Sequence, residues 1–360
     1  MTTASDPLVE LLRSLVNTFG ISGHESRVAT IFEDNLKNLC EISADKLGCS
    51  IARSQGSSNT PKIMVTAHMD EIGFFVKEVT KEGFIKFLPI GGWWGHIALG
   101  MEVVVYSRFG EFPGIVGSTP PHILEPDKRK NVIPLNEMYI DVGGTYDFDI
   151  IEKMGIRPGD PIVPVGEFKT MGNPNLFMGK AWDDRVGVAE LIQIMRKVAK
   201  IAHSSTVFGV GTVQEEVGLR GARSSVFQIK PDIAFALDVT IAKDTPGTTR
   251  GAVGDRLGDG AAVLVYDSTM IPNQKLLEFV VKVAEEEDIP FYLTSLTGGY
   301  DTGNIHMEFG GIPSIVIATP ARYIHSNTGI VHRKDIESVV RLLVSVIERL
   351  NRKQVRMFSK

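Results

Sequence analysis

A chain of 360 residues and 39.4 kDa can bury a sizeable core and is long for a single domain. Its 43% apolar and 22% charged residues are those of ordinary globular material and argue against a disordered chain. A net charge of −5, with Lys and Arg interspersed among acids, gives no basic field for nucleic acid, and Cys40 and Cys49 form no CxxC pair, so neither a disulfide framework nor a zinc knuckle is expected.

The start, MTTASDPLVELL, carries an acid where a secretion signal needs positive charge, and no apolar run approaches a membrane span, so the cytoplasm is the expected compartment. Residues 7–18 and 25–38 have helical apolar spacing, with Ser22 and Glu25 placed as a capping box for the second helix. IMVTAH then reads as a strand. From 73 to 165 the texture becomes short alternating runs (FIKFLPI, MEVVVYS, GIVG, MYIDVGG, DPIVPV) broken by Gly and Pro, which predicts a small β-domain. After it helices and buried strands alternate: GVAELIQIMRKVAKIA, TVFGVGTV, DIAFALDV, NQKLLEFVVKVAEEE, FYLTSL, SIVIAT and DIESVVRLLVSVIERL. That alternation predicts an α/β sheet covered by helices, begun in residues 1–72, interrupted by the β-domain of 73–165 and completed in 166–360.

Polar clusters fall at the ends of these elements. His68-Met69-Asp70, Glu215-Glu216, Asp238 and His325 follow apolar strand runs, and Asp183-Asp184 in GKAWDDRVG precedes a helix. Ligands of open α/β sheets bind beyond the carboxyl ends of the strands, so these clusters can converge. Adjacent extended residues point in opposite directions, so one acid of Glu215-Glu216 can hold a cation while the other faces substrate. Imidazole and carboxylate together suit zinc or cobalt better than calcium or magnesium. Three acids (Asp183, Glu216, Asp238) with neutral His68 and His325 leave two divalent ions one positive charge, which a hydroxide neutralises; two-metal hydrolases use such a hydroxide as nucleophile.

In sequence order VTAHMDEIGF, GKAWDDRVG, VQEEVGLRGA, ALDVTIAKDTPG, GGYDTGNIH and PARYIHSNTGIVH resemble the co-catalytic metallo-aminopeptidases of the tetrahedral, glutamyl and deblocking type. SGHE, PIGGWW, TPPH and GIRPGD extend the likeness over almost the whole chain. The resemblance implies a mixed sheet sandwiched by helices, with the insert a small barrel-like dimerisation domain. It implies two divalent ions, Zn²⁺ or Co²⁺, bridged by Asp183 and a water, with His68 and Asp238 on one ion and Glu216 and His325 on the other. Glu215 corresponds to the general base and Asp70 to the carboxylate that orients His68, and a cis Asp183–Asp184 peptide is expected. The substrates implied are peptides with a free N-terminus, and dimers are expected to build a hollow homo-dodecamer.

Two stretches depart from the family pattern and leave the preferred N-terminal residue open: Gly298-Gly299-Tyr300-Asp301-Thr302, where GGTDA is common, and TTRGAVGDRLGDGAAV. His306 is expected to be structural, and His122 to pack a turn, line an interface or reach a neighbouring active site. Trp93-Trp94 could suggest a sugar platform, but no acid pair beside it suits a glycosidase. Two other readings are a deacylase or carboxypeptidase, which needs a cationic anchor such as Arg250 or Arg322, and a non-catalytic metal-binding assembly protein. A structural site has no need of the spare base Glu215.

Overall fold

The computed structural model describes residues 6–145, 147–248 and 254–358. Helices α1 (Pro7–Val16) and α2 (Ser26–Leu36) lead into strands β1 (Glu41–Ala44), β2 (Ser50–Ser54) and β3 (Lys62–His68). Asp6 caps α1 by accepting from the Leu8 amide at 3.0 Å, and Leu11, Leu12, Leu15 and Val16 form its buried face. The expected capping box at α2 does not form. Glu25 is the first flanking residue but its carboxylate makes no cap, because it and Ser22 are drawn to partners distant in sequence, described below.

Six antiparallel strands then close a barrel: β4 (Gly73–Val79), β5 (Ile85–Ile90), β6 (Glu102–Ser107), β7 (Gly110–Gly117), β8 (Tyr139–Asp141) and β9 (Pro161–Pro164), in the order β4-β5-β8-β7-β6-β9. Alternating side chains such as Val103, Val105, Ile140 and Ile162 fill it. Short helices α3 (Gly95–Ala98) and α4 (Ile150–Met154) sit in its connections. The Trp93 indole stacks on Phe74 at 4.7 Å between centroids and donates to the Gly73 carbonyl, so it belongs to the barrel's packing.

The chain returns through β10 (Lys169–Thr170) and β11 (Leu176–Gly179) to α5 (Trp182–Val198), β12 (Thr206–Thr212), α6 (Arg220–Ile229), β13 (Ile233–Ile241), β14 (Ala261–Tyr266), α7 (Gln274–Glu286), β15 (Phe291–Ser295), α8 (Thr302–Ile305), β16 (Ser314–Arg322), β17 (Gly329–His332), α9 (Arg333–Arg349) and α10 (Arg352–Phe358). The described strands of the large sheet run β1-β2-β12-β3-β13-β16-β17-β11-β10, with β14 against β16 and β15. Its centre, β12-β3-β13-β16, is parallel, and the strands flanking it join antiparallel, except that β15 pairs parallel with β14. Parallel strands are buried on both faces, which explains the continuous apolar runs read in the sequence. Helix α5 packs on β3 and β13 and is itself covered by α1 and α9, so it is buried nearly all round. Because the four central strands point the same way, His68, Asp238 and the loops after β12 and β16 meet at one edge of the sheet.

Candidate active site

His68 is the last residue of β3 and only 2% exposed. Its Nε2 lies 2.9 Å from Asp183 Oδ1 and 3.9 Å from both Asp238 Oδ2 and Glu215 Oε2. On the other side of Asp183, His325 Nε2 lies 3.1 Å from Oδ2 and 3.4 Å from Glu216 Oε1. The Asp183 carboxylate is therefore divided between two imidazoles. Two groups of donors, His68–Asp183–Asp238 and Asp183–Glu216–His325, each lie within 4.8 Å and share that aspartate. Asp238 sits within β13, three residues before its end, because pairing with β16 carries the strand past the acid.

The supporting groups come from distant segments. His68 Nδ1 faces the Asp70 carbonyl oxygen at 3.0 Å, with the Asp70 carboxylate farther away at 3.5 Å. That carboxylate has closer partners: it accepts from Ser22 Oγ (2.6 Å) and from the amides of Glu215 (3.0 Å) and Glu216 (3.2 Å). Glu25 Oε1 accepts from the preceding amide, Gln214, at 3.0 Å. Three consecutive amides are thus held by two buried carboxylates. His325 Nδ1 lies 2.9 Å from the carbonyl oxygen of Gly92 in the barrel. A Cβ on Gly92 would sit 3.0 Å from that nitrogen, and one on Gly91 would meet Ile72 Cγ2 at 2.3 Å and Glu216 Oε2 at 3.1 Å, so the GG of PIGGWW is required by close approach.

Beside Asp183 the backbone is unusual: the Asp183–Asp184 peptide is cis, and Ala181, Gln214 and His325 have positive φ of 53°, 55° and 55°. Left-handed non-glycine residues cost roughly 1–3 kcal/mol each and persist where surroundings enforce them. Around Ala181 the flanking residues are held by buried contacts. Asp184 accepts from the His68 amide (3.1 Å) and the Gly187 amide (2.9 Å), and Glu71 pairs with Lys180 (2.6 Å) and Arg185 (3.2 Å), tying the HMDE segment to KAWDDR.

Burial pushes the carboxyls of Glu215 and Asp238 well above the usual carboxylate range, and mutual repulsion with nearby acids adds to this despite the opposing influence of His68. Burial favours neutral imidazoles, yet the surrounding carboxylates outweigh it: His68 is raised well above its ordinary value by Glu215 and Asp183, and His325 is pushed up to about 11 by Asp183 and Glu216. Glu216 Oε1 is buried with no hydrogen-bond donor. A buried excess of carboxylate, an orphaned oxygen and two convergent imidazoles fit cations well.

All seven residues singled out in the sequence, His68, Asp70, Asp183, Glu215, Glu216, Asp238 and His325, converge here. Ser22, Glu25, Glu71, Lys180 and Gly92 also converge; each lies in one of the quoted motifs, SGHE, VTAHMDEIGF, GKAWDDRVG or PIGGWW, but the sequence assigns none of them to the site. Arg322 is engaged by Asp244 through Nε (2.7 Å) and a second nitrogen (2.5 Å), and Arg250 lies outside the described residues. His306 Nδ1 lies 2.9 Å from the Thr302 carbonyl oxygen in its own turn, a local structural contact. His122 lies in an exposed 3₁₀ turn of the barrel connection, Pro121–Ile123.

A helix-flanked mixed sheet whose edge gathers imidazoles and acids around one aspartate, with an antiparallel barrel folded against that edge, defines the architecture of the tetrahedral aminopeptidases. The chain belongs to the M42 glutamyl aminopeptidase family, whose sequence profile matches residues 48–342. A solved TET aminopeptidase from the marine sediment archaeon Thaumarchaeota archaeon SCGC AB-539-E09 is 42% identical, superposes with a TM-score of 0.95, and the match covers 98% of this chain and all of that one. The lysyl aminopeptidase of Pyrococcus furiosus is 32% identical over 349 residues, 95% of this chain and 97% of that protein. The Pyrococcus horikoshii TET1 peptidase, described as assembling into a tetrahedron or a large octahedral shell, is 29% identical with a TM-score of 0.85, covering 95% of this chain and 100% of that one.

Proposed function

We propose that the protein is a metal-dependent aminopeptidase in which His68, Asp183 and Asp238 would hold one divalent ion, Zn²⁺ or Co²⁺, and Asp183, Glu216 and His325 would hold a second. The observation that carries this reading is the division of Asp183, with one oxygen toward each histidine. When bound, the ions polarise the scissile carbonyl and lower the pKa of water. Glu215, buried beside His68 but not needed in either donor group, takes a proton from the attacking water and returns it to the leaving amine. Its burial raises its proton affinity, the direction a base working near neutral pH requires. Asp70 holds the turn that carries Glu215 and Glu216. Arg322, the described candidate for anchoring a substrate carboxylate, is already committed to Asp244, which favours recognition of a free amine over a free carboxylate.

Residues 73–165 serve as the dimerisation domain in this reading, and dimers assemble into a dodecamer. Exposed apolar side chains on and beside the barrel, Leu88, Trp94, Leu99, Ile115 and Ile123, support self-association. Light scattering should then give about 473 kDa, twelve chains of 39.4 kDa. The function is tested with a panel of aminoacyl-nitroanilides after chelation and re-addition of Zn²⁺, Co²⁺ or Mn²⁺, comparing free-amine with N-acetylated substrates. Metal-restored cleavage of free-amine substrates is expected; cleavage of blocked substrates alone would end the exopeptidase reading.

A further inference from the structure

We infer that Glu25, in the SGHE motif ahead of α2, is a positioning residue for Glu215, acting through the backbone of Gln214; the inference rests on Glu215 being the base. Glu25 is 6% exposed, and its Oε1 accepts both the Gly23 amide at 2.7 Å and the Gln214 amide at 3.0 Å. One oxygen therefore ties the loop before α2 to the residue preceding Glu215. Gln214 has φ of 55°, a left-handed conformation that a non-glycine residue seldom adopts without support. On its carbonyl side the turn is already closed: the amide of Arg220 bonds to the Gln214 oxygen, and the amides of Gly218 and Leu219 to that of Glu215. On its amide side Asp70 holds Glu215 and Glu216, and Glu25 alone supplies the acceptor for Gln214 among the described residues. The Ser22 hydroxyl completes the device by donating to Asp70, so Ser22 and Glu25 of SGHE both act on the same turn.

What matters in this arrangement is an acceptor at the right reach; charge is secondary. Three variants separate the two. Glu25→Gln keeps the reach and an amide oxygen while losing the charge. Glu25→Asp keeps the charge but is shorter by one methylene, which withdraws the oxygen by about 1.5 Å. Glu25→Met fills the same space with no oxygen acceptor. A displacement of about 1 Å at a catalytic group can cost on the order of 100-fold in rate. The Asp and Met variants should lose at least about tenfold in kcat, with KM within twofold and two metal equivalents retained, and the Gln variant should stay within threefold of the parent enzyme. If Glu25→Met does not fold, the Asp and Gln pair still decides. Near-normal kcat in the Asp variant, equal loss in Asp and Gln, or a change in KM in place of kcat overturns the inference. Glu215→Gln run alongside keeps the two readings apart: retained turnover there removes the base itself, whereas lost turnover there with unaffected Glu25 variants removes only the positioning role.

Discussion

Replacing Asp70 with Asn should weaken the metal centre without unfolding the protein. The carboxylate receives Ser22 Oγ and the Glu216 amide on Oδ2, and the Glu215 amide on Oδ1, with His68 Nδ1 3.5 Å from Oδ1. An asparagine offers one oxygen, so whichever way its amide turns, an NH₂ group faces a backbone N–H of the Glu215–Glu216 turn. At least one bond to a charged acceptor is lost, an interaction worth about 1.5–3 kcal/mol. Because Glu216 is a proposed ligand and the turn also carries Glu215, both ion affinity and turnover should fall. Loss of an outer-shell partner typically lowers metal affinity 10–100-fold, about 1.4–2.7 kcal/mol, which agrees with the loss of one such bond. Calorimetric titration of the metal-free protein with Zn²⁺ measures this directly. Two ions bound within twofold of the parent affinity, with unchanged turnover, would show that Asp70 does not support the centre.

Glu215→Gln should retain two metal equivalents by elemental analysis while kcat drops about 10²–10⁴-fold, and unchanged turnover would take Glu215 out of the mechanism. Gly92→Ala places a Cβ 3.0 Å from His325 Nδ1; about tenfold weaker binding of one ion, with the other retained, is expected in a chelator competition, and two unaltered affinities would contradict the contact. Metal binding should release protons. With no metal bound, the carboxylates hold His325 protonated to about 11 and His68 well above its ordinary value, whereas ions take neutral imidazole. Affinity should therefore rise with pH through the neutral range and fall as acid restores those protons. Calorimetry at pH 7 in two buffers of different ionisation enthalpy should report at least one proton released, and zero would refute the electrostatics.

The polar residues of the site were legible because β3, β12, β13 and β16 are apolar on both faces, so a His, Asp or Glu within or just beyond each run stands out. Other parts were hidden for identifiable reasons. Ser22 and Glu25 have the spacing of a capping box, and nothing local distinguishes that use from their actual partners, Asp70 and Gln214, 48 and 189 residues away. Strands β1 and β2 are short, and α6, RGARSSVFQI, carries a glycine and adjacent serines that weaken its helical signal. The Gly92 carbonyl contributes through its backbone, which the residue type does not announce. Pairing of Glu71 with Lys180 and Arg185 required the folded sheet to bring the two segments together.

The carbonyl of Gly92 makes the two imidazoles unequal. His68 is steered by the turn that follows its own strand, whereas His325 takes its bearing from the barrel, across two residues with no side chain to cushion a shift. In the proposed assembly, a neighbouring subunit that shifts the barrel would act first on the His325 position. By reciprocity, an ion held there would favour the barrel placement that suits it, which would link subunit association to occupancy of that position.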